Sequence, residues 1–116
     1  MKKSDVSINA PISKVHDWPS LLEQIRLRPG MWLDEDSTTA LSNLKAGIEL
    51  AELLYEIPDD KALRGFDFEA FYHWVTVKCN PLKLSLDTFG LARYVTETER
   101  DAFDKWFGWY DEFRRL

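Results

Sequence analysis

The sequence predicts an all-α fold, arranged as a single compact bundle of four to five helices. Apolar residues recur at three- and four-residue spacing in several segments, which begin at capping residues and end at proline or glycine. The chain has 116 residues, 45% of them hydrophobic, which is enough for one buried core without disulfide bonds. Cys79 is the single cysteine, and its apolar neighbours are typical of a small buried hydrophobe.

The predicted helical domain covers residues 16–116 and follows a loosely ordered arm at residues 1–15. The arm mixes polar residues with Pro11 and shows no sustained periodicity. Its two lysines are not followed by an apolar segment, so it does not resemble a secretory signal. No stretch of the chain reaches the ~18 apolar residues of a membrane span. We therefore expect a soluble cytoplasmic protein that does not bind membranes.

The first helix is expected to begin after Asp17, which can accept hydrogen bonds from free backbone amides, with Pro19 in the first turn. Pro29-Gly30 should end this helix. Residues 31–33, Met-Trp-Leu, are expected to return the chain to the core, with Trp32 filling the bend.

The clearest predicted helix starts at Ser37 or Asp36 and closes at Pro58. The side chains expected to face the core from this helix are Leu41, Leu44, Ile48, Ala51 and Tyr55. The acidic residues just before it are expected to lie at the positive end of its dipole.

A third helix should be ended by Asn80-Pro81. The residues that line one face of it are Phe68, Phe71, Tyr72, Val75 and Cys79. The β-branched run at residues 75–77 leaves a strand open as an alternative. A shorter helix is expected within residues 86–95, interrupted at Gly90.

The last helix opens with Thr96 and Glu99, whose spacing predicts a capping box. Its aromatic stripe consists of Phe103, Trp106, Tyr110 and Phe113. Phe107 and Trp109 lie beside this stripe, so we expect one of them to be a partly exposed anchor for a partner.

Catalytic and metal-binding patterns are missing from the sequence. His73 and Cys79 supply two ligands where a zinc site needs three or four. A calcium loop starting at Asp34 would need glycine at its sixth position and an acid at its twelfth, where Thr39 and Lys45 stand. Neither a phosphate-binding loop nor a nucleophile motif is found. We expect a protein that is not an enzyme and takes no cofactor or metal.

Negative charge is concentrated in the middle of the chain. Residues 31–72 hold ten acidic and three basic residues, although the whole chain has a net charge of only −5. This argues against direct nucleic-acid binding, which needs a basic surface, and favours a basic protein partner. The predicted contact residues are Asp34, Glu35, Asp36, Glu49, Glu52, Glu56, Asp59, Asp60, Asp67 and Glu69, joined by Phe107 and Trp109.

A family resemblance rests on four segments of the chain. They are RLRPGMWL at residues 26–33, TALSNL at 39–44, GLA at 90–92 and the aromatic-acidic WYDEF at 109–113. Together they resemble small helical bacterial immunity proteins of contact-dependent growth inhibition and related polymorphic toxin systems. The resemblance implies that the partner is the cognate toxin's C-terminal domain. It assigns no toxin-contact residue, because the shared motif is expected to be scaffold.

Three functions stand as hypotheses, one of them a small enzyme acting on a sugar or nucleotide, which would need two convergent carboxylates in a deep pocket. The first is an immunity protein whose acidic surface occludes the active site of a secreted toxin domain, favoured to be a basic nuclease. The second is an acidic adaptor or regulatory protein-binding module unrelated to toxins. A toxin gene beside the gene of this protein would distinguish the first from the second.

Overall fold

The chain forms six helices in a computed structural model that describes residues 15–33 and 35–116. They are α1 (Trp18–Leu27), α2 (Pro29–Trp32), α3 (Thr38–Leu54), α4 (Phe68–Cys79), α5 (Thr88–Tyr94) and α6 (Glu99–Arg114). The all-α prediction is confirmed, with a helix count slightly above the expected four to five because α2 is a separate single turn. The arm predicted at residues 1–15 lies outside the described residues, except for Val15, which packs against the core.

Helix α1 begins as the sequence predicts. Asp17 Oδ1 accepts a hydrogen bond from the Ser20 backbone N–H at 2.8 Å, and Ser20 Oγ accepts one from the Asp17 N–H at 3.1 Å. The hydrogen bonds that the carboxylate accepts from Ser20, first of all from its backbone N–H, lower the pKa of Asp17. The helix ends at Leu27, and Pro29 opens α2 instead of a loop. The prediction that Met31 returns to the core is wrong, since its side chain is exposed, whereas Leu33 is buried.

Helix α3 packs only part of its length against the body. Ser37 caps it, Leu41 is buried, and Leu44 and Ile48 are partly buried against α5 and α6. The predicted burial of Ala51 and Tyr55 is wrong, because the last turns carry both side chains into solvent. The helix ends at Leu54, three residues before Ile57, which precedes Pro58 and is therefore disfavoured in helical geometry.

Residues 75–77 belong to helix α4, so the alternative of a strand there is wrong. Phe71 and Val75 on this helix are fully buried. Helix α5 runs continuously through Gly90, which corrects the expected interruption. Gly90 is buried at the helix start, where its N–H donates to the capping carboxylate of Asp87 at 2.7 Å.

Helix α6 forms the centre of the fold, in contact with α3, α4 and α5. Its Trp106 ring stacks between Phe89 and Tyr110, with centroids 4.9 and 5.7 Å away. The Trp106 indole N–H donates to Thr88 Oγ1 at 2.8 Å, so this buried polar group is satisfied.

The capping box predicted from Thr96 and Glu99 is wrong. Helix α6 starts at Glu99 itself, and the cap is Thr98, whose side chain accepts a hydrogen bond from the Asp101 N–H at 3.0 Å. The Thr96 hydroxyl instead donates to the carbonyl of Ala92 at 2.6 Å. Glu99 is therefore free to bind a different helix.

Candidate protein-binding surface

Of the acidic residues predicted at the start of α3, Asp36 has an ion-pair partner in the fold. Asp34 lies outside the described residues. Asp36 Oδ2 pairs with Arg100 Nε at 3.1 Å, and Glu35 is exposed. Glu35 and Asp36 immediately precede the cap Ser37 at the positive end of the α3 dipole, as expected, and the side chain that bonds the first residues of the helix is Glu99.

Glu99 accepts four hydrogen bonds from the beginning of α3. The donors are Ser37 Oγ at 2.9 Å, Thr38 Oγ1 at 3.0 Å, the Thr39 backbone N–H at 3.3 Å and Thr39 Oγ1 at 3.1 Å. Burial acts to raise the pKa of Glu99, but the hydrogen bonds outweigh it and the net pKa is lowered. This carboxylate joins α6 to α3.

The opposite end of α3 carries a second acidic group. Residues 46–60 contain five acids and no Lys, Arg or His. Two of the acids have partners nearby: Glu49 Oε2 lies 2.9 Å from Lys45 Nζ, and Glu52 Oε2 accepts a hydrogen bond from the Leu63 N–H at 2.8 Å. Glu56, Asp59 and Asp60 are exposed beyond the helix end. We call residues 55–60 the α3 tip.

The α3 tip holds apolar side chains beside these carboxylates. Tyr55 is 78% exposed and Ile57 is 38% exposed. Glu56 between them has a φ of +50°, in the left-handed region where glycine is more stable. The Ile57 N–H donates to the Glu52 carbonyl at 2.9 Å and the Glu56 N–H to the Leu53 carbonyl at 3.2 Å, so the turn that fixes the tip is well defined.

A row of exposed apolar and small residues runs along α3 on the side away from the core. Its members, which we call the outer stripe, are Ala46, Gly47, Leu50, Leu53 and Leu54. Leu53 is 73% and Leu54 67% exposed. At about 100° per residue, this stripe lies opposite Leu44 and Ile48. The sequence contained a signal for it, since residues 50–57 hold six apolar residues out of eight, too many for one core-facing stripe.

Asp67 and Glu69 lie at the start of α4, apart from the α3 tip along the chain. Asp67 caps α4 by accepting a hydrogen bond from the Ala70 N–H at 3.0 Å, and Glu69 lies 3.8 Å from His73. Glu69 and His73 line an open cavity of about 320 Å³ with Lys45. The nine predicted acids that the structure describes are thus divided among the start of α3, its far end and the start of α4. Helix α3 alone separates the first two groups by about 25 Å.

The prediction of an exposed anchor at Phe107 or Trp109 is wrong. Both are buried, with 4% and 6% of their surface exposed. Phe107 packs edge-on against Trp106 at 5.0 Å and lies under the Arg26 guanidinium at 4.6 Å. Arg26 in turn forms a bidentate pair with Asp111, at 2.6 and 3.1 Å. A helix at the centre of the fold is covered on several sides, so side chains beside its main stripe are buried as well.

Two searches of the described residues concern other kinds of site. Within residues 15–33 and 35–116, none of the helices has the length and apolar character needed to cross a bilayer. Over the same residues, His, Cys, Asp and Glu side chains do not converge in threes where they could hold a metal ion.

The chain matches no family model, no curated protein and no solved structure. At the far end of α3, large apolar side chains and carboxylates are exposed together. Exposed apolar patches with polar borders are typical of protein-interaction sites.

Proposed function

We propose that this chain is a cytoplasmic immunity protein that binds and neutralises a cognate secreted toxin domain, a basic nuclease, by occluding its active site. The observation that carries the proposal is the α3 tip, where exposed Tyr55 and Ile57 stand beside Glu56, Asp59 and Asp60. The resemblance of residues 26–33 and 39–44 to immunity proteins of polymorphic toxin systems supports the same function.

Electrostatics explain why a nuclease suits this surface. A nuclease must bind phosphates through lysine and arginine, so its active site attracts carboxylates. The α3 tip presents three exposed carboxylates on a turn whose backbone is held by two hydrogen bonds. Such charges raise the rate of association and orient the partners, and they block the nucleic acid competitively without any chemistry.

Apolar contact supplies the affinity that exposed charges do not. Charges at the border of an interface mainly change association rates, whereas buried aromatic and aliphatic side chains slow dissociation. Tyr55 takes the anchoring role that the sequence suggested for Phe107 or Trp109. Since the tip extends beyond the packed part of α3, Tyr55 can enter a cleft on the toxin without disturbing the core of this chain.

Co-expression with the toxin domain encoded by the adjacent gene tests the proposal. We expect a stable complex, loss of nuclease activity and survival of cells that die when the toxin is expressed alone. An adjacent toxin that neither binds this chain nor is neutralised by it would refute the proposal. A gene without a toxin neighbour, whose product binds another cellular protein, would instead favour an acidic adaptor.

A further inference from the structure

The loop between α4 and α5 presents exposed apolar side chains beside lysines. The large apolar side chains exposed around it are Val77, Leu82, Tyr94 and Val95. Residues 70–86, which include this loop, contain two lysines and one histidine but no acid. We call residues 77–84, together with Tyr94 and Val95, the loop face. Its charge is opposite in sign to that of the α3 tip, which also combines apolar and charged side chains.

Hydrogen bonds hold the loop in one shape beside a cavity. The buried Asn80 side chain donates to the Leu84 carbonyl and accepts from the Leu84 N–H, both at 2.9 Å. The Lys83 N–H donates to the Asn80 carbonyl at 3.0 Å. The cavity has a volume of about 270 Å³, and its apolar walls include Cys79, Leu82, Leu84, Leu91, Tyr94 and Val95. An apolar side chain of another molecule can therefore enter a preformed site.

Two lysines near this cavity have no partner. Lys83 lies between two residues that line the cavity, and Lys105 on α6 is exposed. Neither forms an ion pair within residues 15–33 and 35–116, whereas Lys78 pairs with Glu112 at 2.9 Å. Burial raises the pKa of the Cys79 thiol, and the charges of Lys78 and Lys105 act to lower it, so both cations lie close to the cavity. The site is therefore apolar with a basic border.

An unusual backbone conformation occurs in both the α3 tip and the loop face. Among the described residues, the non-glycine residues with left-handed φ are Glu56 at +50° and Lys83 at +55°. Glycine is more stable in this conformation. Side chains kept at such positions are concentrated at functional sites. One of these residues is acidic and lies in the tip, and the other is basic and lies in the loop face.

We propose that the α3 tip of one copy of this chain binds the loop face of another copy. Tyr55 enters the cavity beside the loop, and the carboxylates of Asp59 and Asp60 lie against Lys83 and Lys105. The buried ring supplies affinity, and the opposite charges orient the two copies.

A second copy suits the loop face because it offers the required chemistry on a defined turn. The occupant must carry an apolar side chain and carboxylates together, as the tip does. Both surfaces are exposed in the same copy, so neither covers the other within one chain. A contact between two different surfaces is heterologous, so each added copy leaves one tip and one loop face available and the assembly extends beyond two copies.

This self-association does not rest on the proposed function, although it uses the same tip. The contact consists of one turn and one loop, which is less than the area of a standard stable interface. Association should therefore be weak and depend on concentration. If the proposed function holds, a tightly bound toxin domain displaces the neighbouring copy from the tip.

Sedimentation equilibrium of the full chain, without toxin, tests the pairing. At low ionic strength the weight-average mass should rise above the monomer as concentration approaches about 1 mM, and salt should reverse the rise. Asp59→Lys with Asp60→Lys should weaken association at least about ten-fold. Glu35→Lys with Asp101→Lys changes the net charge equally at exposed positions elsewhere and should leave association nearly unchanged.

A mixture of two charge-reversed chains tests which surfaces meet. The first carries Asp59→Lys and Asp60→Lys, and the second carries Lys83→Glu and Lys105→Glu. Neither should associate alone, because its tip and loop face then carry like charges. The mixture should associate, because each tip meets a loop face of opposite sign. Both chains keep a net negative charge, so attraction between oppositely charged molecules cannot produce this result.

The reactivity of Cys79 shows whether the cavity is occupied. A trace of the parent chain is treated with N-ethylmaleimide in the presence of excess Cys79→Ser chain, which cannot react itself. About 1 mM of this competitor should slow the reaction roughly two-fold, as expected for half occupancy. A Cys79→Ser competitor that also carries Asp59→Lys and Asp60→Lys should not slow it.

The backbone of Lys83 provides a variant that keeps the fold. Lys83→Gly should melt at no lower temperature than the parent chain, because glycine accepts the positive φ, yet it should associate more weakly. Equal association of the two chains would contradict the role of this lysine.

Three other results would overturn the pairing. They are a parent chain that is monomeric at every concentration, a mixture of reversed chains that does not associate, and equal protection of Cys79 by both competitors. If the chain stays monomeric while Lys83→Glu with Lys105→Glu weakens binding of the toxin domain, the loop face is part of the toxin interface instead. A chain that does not self-associate can still bind the toxin through its tip, so the two proposals fail separately.

Discussion

Replacing Glu99 by alanine should destabilise the fold although the residue lies outside the apolar core. Its carboxylate accepts hydrogen bonds from the buried hydroxyls of Ser37 and Thr38 at 2.9 and 3.0 Å. Leaving buried donors without an acceptor costs about 1–3 kcal/mol. Losing a carboxylate at a helix N-terminus costs about 0.3–1 kcal/mol more. We therefore expect Glu99→Ala to lower the free energy of unfolding by about 1–4 kcal/mol.

Urea unfolding followed by tryptophan fluorescence measures this loss. With an m-value of about 2 kcal/mol/M, the midpoint should fall by roughly 0.5–2 M at an unchanged slope. Glu97→Ala, two residues earlier and exposed, is the control that should change little. A midpoint for Glu99→Ala within error of Glu97→Ala would refute the role given to this carboxylate in joining α6 to α3.

The pH dependence gives an independent check on the same residue. Because the pKa of Glu99 is lowered from its ordinary value of 4.5, its stabilising effect is fully present above that value. The effect is lost as the pH falls through the lower pKa of the folded state. The stability difference between the parent chain and Glu99→Gln should accordingly shrink in acid and stay constant near neutrality.

Four further substitutions test separate features of the fold and of the α3 tip. Gly65→Ala should lose about 1–3 kcal/mol, because φ is +92° and the new Cβ would lie 3.2 Å from side-chain atoms of α1 and its cap. Gly108→Ala, with open space around its Cβ, should gain about 0.5–1 kcal/mol in the same calorimetric scan. Glu56→Gly should raise the melting temperature by relieving a left-handed residue, yet slow toxin association in stopped-flow measurements. An unchanged association rate would contradict the role given to Glu56 in the tip. Phe107→Ala should cost about 3–5 kcal/mol of folding stability but leave the toxin Kd of the folded fraction unchanged, as expected for a core residue.

Local sequence patterns predicted the helices well because local chemistry determines where they begin and end. Asp17 and Ser37 each cap the helix that follows, and Pro81 comes two residues after the end of α4. Burial of Leu41, Val75 and Trp106 followed from three- and four-residue spacing. These features depend on neighbours within one or two turns, which a single sequence displays.

Local sequence patterns did not predict the contacts between distant segments correctly. The spacing of Thr96 and Glu99 matches a capping box, but the side chain that caps α6 is that of Thr98. Glu99 instead accepts hydrogen bonds from donors some sixty residues away in the sequence. Likewise Phe107 and Trp109 are buried because neighbouring helices surround α6. Only the tertiary arrangement decides which of two locally adequate patterns forms.

Only part of the candidate site could be predicted from the sequence, because the rest depends on contacts between distant segments. Negative charge between residues 46 and 60 is evident in the sequence, and the structure shows three of these acids, Glu56, Asp59 and Asp60, exposed at the α3 tip. Asp36 and Asp67 could not be separated from that group in advance, because their partners, Arg100 and the Ala70 N–H, depend on the fold and on the helix start. The exposure of Tyr55 depends on how far α3 extends beyond the helices that cover its first half.

The association rate between this chain and the toxin domain encoded beside it tests the central claim most directly. Asp59→Lys with Asp60→Lys should slow association about ten-fold or more at low salt, with the difference shrinking as ionic strength rises. Glu97→Lys with Asp104→Lys changes the net charge equally at exposed sites away from the tip and should have a much smaller effect. Equal slowing by both pairs, or no slowing by either, would contradict binding through the end of α3.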